Sequence, residues 1–141
     1  MNQRTQKRSK QREAILELIR STRSHPSAQW VYEKLKPRMP GLSLGTVYRN
    51  IAYFREQGLV VSVGVVDGEE HFDGFVSPHP HLICNCCGAV MDLPAPDTET
   101  IELLTRKFPA ADFSIDFRKT TLSGLCPRCA GHKTTTAALS R

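Results

Sequence analysis

The chain has 141 residues, of which 40% are hydrophobic and 23% charged, and it carries a formal net charge of +5. That length allows one ordinary domain or two small ones, and no segment approaches the roughly 18 apolar residues that a membrane-spanning helix needs. The basic start, MNQRTQKRSKQREAILELI, lacks the apolar core and small-residue cleavage site of a signal peptide, so the expected compartment is the cytoplasm, with no membrane partner.

Charge is unevenly spread. Residues 1–60 hold 12 Lys+Arg against 4 Asp+Glu, whereas the remaining 81 hold 7 against 10. A basic front half joined to a slightly acidic, cysteine-bearing back half suggests a nucleic-acid module attached to something else. A merely solvated basic surface is the alternative, and charge alone does not separate the two.

In chain order, SKQREAILELIRS places Ala14, Ile15, Leu18 and Ile19 on one helical stripe, with Ser9 as the expected N-cap. HPSAQWVYEKLKPRMP repeats the pattern: Ser27 caps, Trp30, Val31, Leu35 and Tyr32 face inward, and Pro37 and Pro40 stop the helix. GLSLGTVYRNIAYFREQGLV gives a third helix capped by Ser43, with Leu44, Val47, Ile51 and Phe54 as core positions and Gly58 at its end. Three short helices, the third rich in polar and basic side chains, are what a helix-turn-helix requires. The period then changes. LVVSVGVVDGEEHFD is β-branched around a DG turn and predicts a hairpin, which behind a helix-turn-helix is a wing.

GFVSPHP breaks regular structure and is the expected boundary. The predicted division is a DNA-binding domain over 1–74, a hinge at 75–78 and a cysteine-bearing domain over 79–141. Within the last, strands are expected at HLICN and AVMDL, a helix over DTETIELLTRKF, and one or two strands in DFSIDFRKTTLSGLC, followed by a frayed tail, AGHKTTTAALSR. The fold class is therefore α+β: a winged helix-turn-helix domain followed by a small α/β domain.

Cys84 and Cys87 are spaced C-x-x-C, and Cys126 and Cys129 repeat the spacing 38 residues later. A two-residue gap lets consecutive thiolates meet one tetrahedral ion at about 2.3 Å, and in a reducing cytosol paired cysteines more often hold metal than form disulfides. Four thiolates fill the shell, which makes this Zn2+ structural and not catalytic. Cys86 lies off the spacing and is expected as a free thiol. Disulfide cycling of the pairs is the competing reading.

His79 and His81 alternate with Pro80 in an extended segment and so project to one side, close enough to share an ion. Asp73 and Asp92 are the nearby carboxylates. Nitrogen and oxygen donors without sulfur suit Fe2+ or Mn2+, with zinc as competitor. Two surface histidines beside a zinc ribbon remain the bland alternative.

These pieces carry a resemblance. HPSAQWVYEKL, SLGTVYRNIAYFREQGLV, HFD, HPHLICNCCGAVMDL and CPRC, in this order and spacing, resemble the ferric uptake regulator (Fur) family of metal-sensing repressors over nearly the full length, and most of all its peroxide-sensing, PerR-like branch. The resemblance implies a regulatory ion held by His25, Asp73, His79, His81 and Asp92, with His25 and His79 as oxidation targets. It implies a homodimeric repressor on inverted-repeat double-stranded DNA, not an enzyme, with peroxide as signal and no other small-molecule substrate. Iron- and zinc-sensing relatives tend to carry glutamate where Asp73 and Asp92 stand. They often have further ligands where Pro78, Pro80 and Leu125 lie here, which leaves no third metal site. The family usually has an earlier helix, and here a basic disordered arm is expected in its place on the DNA. Lys10 stands where proline would start the helix. Arg49 is shared with iron- and zinc-sensing relatives and does not favour the peroxide branch.

On the third helix, Ser43, Thr46, Tyr48, Arg49 and Asn50 are the expected DNA-facing positions. Arg49 suits guanine edges, and Tyr48 a thymine methyl or a phosphate. Ser43, Thr46 and the arm residues Arg4, Lys7, Arg8, Lys10 and Arg12 suit backbone contacts. His71 and His132 are read as ordinary surface histidines. An iron- or manganese-responsive uptake regulator with unoxidised histidines is the near alternative, and a zinc-ribbon thiol redox enzyme the distant one.

Overall fold

The computed structural model describes residues 3–107 and 114–133. The chain divides into two compact units, Met1–Val76 and Ser77–Arg141.

The first unit has three helices, α1 (Gln3–Arg20), α2 (Ala28–Leu35) and α3 (Leu44–Glu56), and an antiparallel hairpin of β1 (Val61–Val66) and β2 (Glu69–Asp73). This is a winged helix-turn-helix. Ser27 caps α2 by accepting the Trp30 N–H at 3.2 Å, and Ser43 caps α3 through the Thr46 N–H at 3.1 Å. Gly58, at φ +69°, ends α3 in the left-handed conformation that a side chain disfavours. The DG turn is Asp67 and Gly68, both at positive φ, which matches the twist of a two-residue hairpin. Val63 is the extra residue of a bulge in β1 and turns inward, 1% exposed.

One core serves this unit: Ile15 and Ile19 from α1, Ala28, Val31 and Leu35 from α2, Val47, Ile51 and Phe54 from α3, with Leu42, Val60 and Phe72. Two expectations are corrected here. Helix α1 begins by Gln3, so Ser9 lies inside it, bonded to Glu13 at 2.9 Å, and is not its cap. The basic segment from Arg4 to Lys10 is therefore helical and not a disordered arm; Met1 and Asn2 lie outside the described residues.

The second unit holds a three-stranded sheet in the order β4-β3-β5, with β3 (His81–Cys84), β4 (Val90–Asp92) and β5 (Thr121–Gly124). Strand β3 pairs antiparallel with β4 and parallel with β5. Helix α4 (Thr98–Lys107) lies between β4 and β5 in sequence, followed by a single 3-10 turn at Phe117–Lys119, and α5 (Pro127–Lys133) closes the described chain. The residues expected as a frayed tail are helical as far as Lys133; 134–141 lie outside the described residues, as do Phe108 of the predicted helix and 112–113 of the predicted strand region.

Among the described residues, the buried hydrophobic side chains of this unit are two cysteines, Cys84 and Cys126. A buried aliphatic side chain contributes roughly 1.5–3 kcal/mol, and the described residues of this unit include no set like the one that holds the first together.

Candidate metal centres and nucleic-acid face

The cysteine cluster follows from strand pairing. Strand β3 ends at Cys84, and a tight turn, closed by the Gly88 N–H on the Cys84 carbonyl at 2.9 Å, carries Cys87 back over the strand end. Parallel pairing sets Gly124 beside Cys84, so Cys126 arrives two residues later, and Cys129 follows one turn along α5. The four sulfurs lie within 4.8 Å of one another, with Cys87 and Cys126 3.8 Å apart. Four sulfurs at about 2.3 Å from one ion stand about 3.8 Å apart, so the cage has the size of a zinc–thiolate centre.

Backbone dipoles prepare the cage. The Cys126 N–H donates to Cys84 Sγ at 3.3 Å. With a second N–H from Cys87 it lowers the Cys84 thiol to about 6, so this sulfur is a thiolate at neutral pH. The Cys126 thiol is also lowered, chiefly by the Cys129 backbone N–H, while shared hydrogen bonding with Cys126 raises Cys129. Cys86 is exposed and outside the cage.

A second cluster sits on the same sheet. His81 and Asp92 are direct cross-strand partners, and His79 lies two residues before His81 on the same side. The two imidazole centroids are 4.5 Å apart. The Ser77 carbonyl can only accept, so His79 Nδ1, 2.7 Å away, carries the hydrogen. That leaves Nε2 facing Asp92 Oδ1 at 3.1 Å, while His81 Nε2 lies 3.2 Å from the same oxygen. A neutral His79 would aim a lone pair at a carboxylate. The arrangement is favourable only with positive charge between them, from a proton or a divalent ion. The Nδ1-to-carbonyl anchor is the support that metal-ligating histidines commonly have, and two nitrogens with a carboxylate fit Fe2+, Mn2+ or Zn2+.

The first unit contains its own pair. His25 Nε2 lies 3.7 Å from Asp73 Oδ2, with His25 2% and Asp73 3% exposed. Asp73 Oδ1 accepts the Phe75 N–H at 2.7 Å, which fixes the carboxylate. A separation of 3.7 Å is too long for a hydrogen bond and suits two donors of one ion. Gly74 helps: a Cβ there would stand 3.1 Å from the backbone of Arg20, so its absence lets α1 close on the end of β2. His25 itself is at φ +53°, a conformation that costs a non-glycine residue on the order of 1–3 kcal/mol. Sequence reasoning missed the partner of its carbonyl. His71, read as a surface histidine, places Nδ1 2.6 Å from the His25 carbonyl.

On α3, Tyr48 and Arg49 are exposed, and Arg49 Nη2 donates to Thr46 Oγ1 at 3.2 Å. Ser43 spends its hydroxyl on the cap and on Thr46 Oγ1, 2.8 Å away. Asn50 is a correction. It does not point outward but is 8% exposed, donating to the Thr46 carbonyl at 2.8 Å and accepting Arg12 Nε at 3.0 Å. Arg12 also lies 4.3 Å over the Tyr53 ring, so Asn50 and Tyr53 together hold an arginine from α1 beside the recognition helix.

A winged helix-turn-helix followed by a small sheet unit with a thiolate cage defines a metal-responsive transcription regulator. Residues 3–116 match the ferric uptake regulator family, and the chain belongs to that family. The peroxide operon regulator of Bacillus subtilis is 34% identical over 120 residues, spanning 85% of this chain and 81% of that protein. The peroxide stress regulator of Campylobacter jejuni superposes with a TM-score of 0.67 at 27% identity, covering 92% of this chain and 100% of that one. The Helicobacter pylori ferric uptake regulator gives a TM-score of 0.70 at 19% identity, over 86% and 80% of the two chains, a likeness of fold. Among the described residues no helix is long and apolar enough to cross a membrane.

Proposed function

We propose that this chain is a cytoplasmic, metal-dependent repressor that senses peroxide through its own histidine ligands and binds inverted-repeat DNA as a homodimer. The carrying observation is the convergence of His79 and His81 Nε2 on one Asp92 oxygen, with His79 Nδ1 already committed to a carbonyl. In this reading His25 and Asp73 complete a set of three imidazoles and two carboxylates, which balances a divalent charge without burying a net one. Cys84, Cys87, Cys126 and Cys129 hold Zn2+ as a structural staple.

Bound Fe2+ would activate peroxide beside these ligands; Mn2+ in the same donors would not. One peroxide oxygen then adds to a ring carbon of His25 or His79, and the other leaves as water. An oxidised ring no longer offers the same nitrogen, so the half of the site it belongs to is lost. Tyr48 and Arg49 are the base-reading candidates on α3, Ser43 and Thr46 set its N-terminal turn against the DNA backbone, and Asn50 acts through Arg12. Dimerisation is supported by the sheet's second face. Leu82, Met91 and Leu122 are cross-strand neighbours there, and Leu122 is 50% exposed. On α4, Ile101 and Leu103 are also exposed. A second copy covering these side chains would supply the core that one copy lacks.

The test is a mass spectrum of full-length protein loaded with Fe2+ or Mn2+ and treated with low peroxide. A single added oxygen on a peptide containing His25 or His79, with loss of DNA binding in the iron form alone, is expected. Metal-dependent DNA binding with unmodified histidines would assign the chain to iron- or manganese-responsive uptake regulation instead. Inactivation through cysteine disulfides would make it a thiol switch.

A further inference from the structure

The peptide joining His25 to Pro26 has one polar handle. Proline has no N–H, so the His25 carbonyl is the only backbone group through which that peptide can be tied down. His71 takes it, with Nδ1 2.6 Å from the oxygen. Because a carbonyl only accepts, His71 Nδ1 carries a hydrogen. The residues around this bond extend the wing: the Phe72 N–H donates to the Pro26 carbonyl at 3.0 Å, and Ser27 and His71 form an antiparallel bridge. Segment 25–27 is thus fastened to β2, the strand that ends in Asp73, by one isolated bridge and one further backbone bond. His25 is held at φ +53° within it, with Nε2 3.7 Å from Asp73 Oδ2.

We infer that His71 is a positioning residue for the regulatory metal: its imidazole pins the left-handed backbone of His25 and thereby aims that ring at Asp73. This rests on the reading of His25 and Asp73 as ligands and adds a residue to it. Without the bond, φ of His25 is free to relax toward negative values, and the ring swings away from the carboxylate. The side chain matters for one hydrogen, on Nδ1. Asparagine can present an amide N–H at nearly the same place, whereas alanine and phenylalanine cannot.

The test uses the zinc-loaded full-length chain titrated with Mn2+. His71→Ala is expected to weaken Mn2+ binding about 10-fold, the loss typical of removing an outer-shell support. His71→Asn should restore most of it, and zinc content should stay at the wild-type level in both. A purely structural role would lower the melting temperature of both variants without separating them in Mn2+ affinity. Wild-type affinity in His71→Ala overturns the inference. His25→Ala keeps the two failures apart: if it also binds Mn2+ normally, the ligand reading fails, and if it alone loses binding, only the role of His71 fails. The wild-type protein gives an answer independent of any variant's folding. Imidazole nitrogen resonances should report His71 as the Nδ1–H tautomer with a slowly exchanging proton, and an Nε2–H tautomer overturns the proposal.

Discussion

Cys84 and Cys86 are two residues apart and have opposite surroundings. Cys84 is buried, accepts backbone N–H groups and is a thiolate above about pH 6, whereas Cys86 is exposed and outside the cage. The unit around them has no aliphatic core among its described residues, and in the proposed reading zinc in the cage would supply stability in its place. Cys84→Ser or Cys126→Ser should therefore release the zinc and unfold the second unit, while Cys86→Ser changes neither zinc content nor melting. Retention of one tight zinc per chain in Cys84→Ser removes that residue from the site.

Helix α1 is where sequence reasoning and structure differ most, and the difference has a consequence for DNA binding. A stripe of Gln6, Lys7, Lys10 and Gln11 faces Arg38 and the loop before α3 across a groove of about 480 Å³. Lys7 Nζ would stand 2.7 Å from a Cβ at Gly41, two residues ahead of the Ser43 cap. Lys10 and Arg38, held on a helix and a tight loop, should each meet one backbone phosphate. Lys10→Ala and Arg38→Ala should then each reduce the salt dependence of operator binding by about one unit of slope, with Lys34→Ala on α2 as a charge-matched control that leaves it unchanged. Equal slopes in all four proteins would mean that the groove does not touch DNA. The N-terminal turns of α1 were illegible because Ser9 offered a plausible cap and the preceding residues have no apolar stripe to reveal their helicity. By contrast α2, α3 and the hairpin were legible from local chemistry alone: Ser27 and Ser43 at the caps, Gly58 at an end, Asp67 and Gly68 at the turn. The convergence of His79 and His81 followed from their i, i+2 spacing. Asn50 and His71 were misread because each is engaged by a partner far along the chain, Arg12 and the His25 carbonyl, and periodicity carries no signal for such pairs. A strand was expected where β5 lies, but its parallel pairing and short α5 were hidden for the same reason, since nonlocal pairing and the cysteine cage define them.

At the scale of the molecule, the proposed ligands are divided between the two units: His25 and Asp73 in the first, His79, His81 and Asp92 in the second. In the proposed regulator one ion joins them across residues 75–78 and fixes the angle at which the winged helix is presented. An ion can shift a conformational equilibrium only by the difference in its affinity for the two arrangements. Three donors on one unit bind equally well at any inter-unit angle, so that difference must come from His25 and Asp73. His25→Ala should therefore keep zinc and still bind Mn2+, more weakly, yet lose both the metal-induced gain in operator affinity and any metal-induced contraction. Small-angle scattering of the full-length dimer with and without saturating Mn2+ reads the contraction directly. The wild type should contract and His25→Ala should not, and Asp73→Asn, which keeps the shape but removes the carboxylate charge, should fall between them. An equal contraction in His25→Ala would move the coupling elsewhere in the molecule. No contraction in the wild type, with Mn2+ bound and operator affinity raised, would mean that the ion orders an arrangement already present and does not create it.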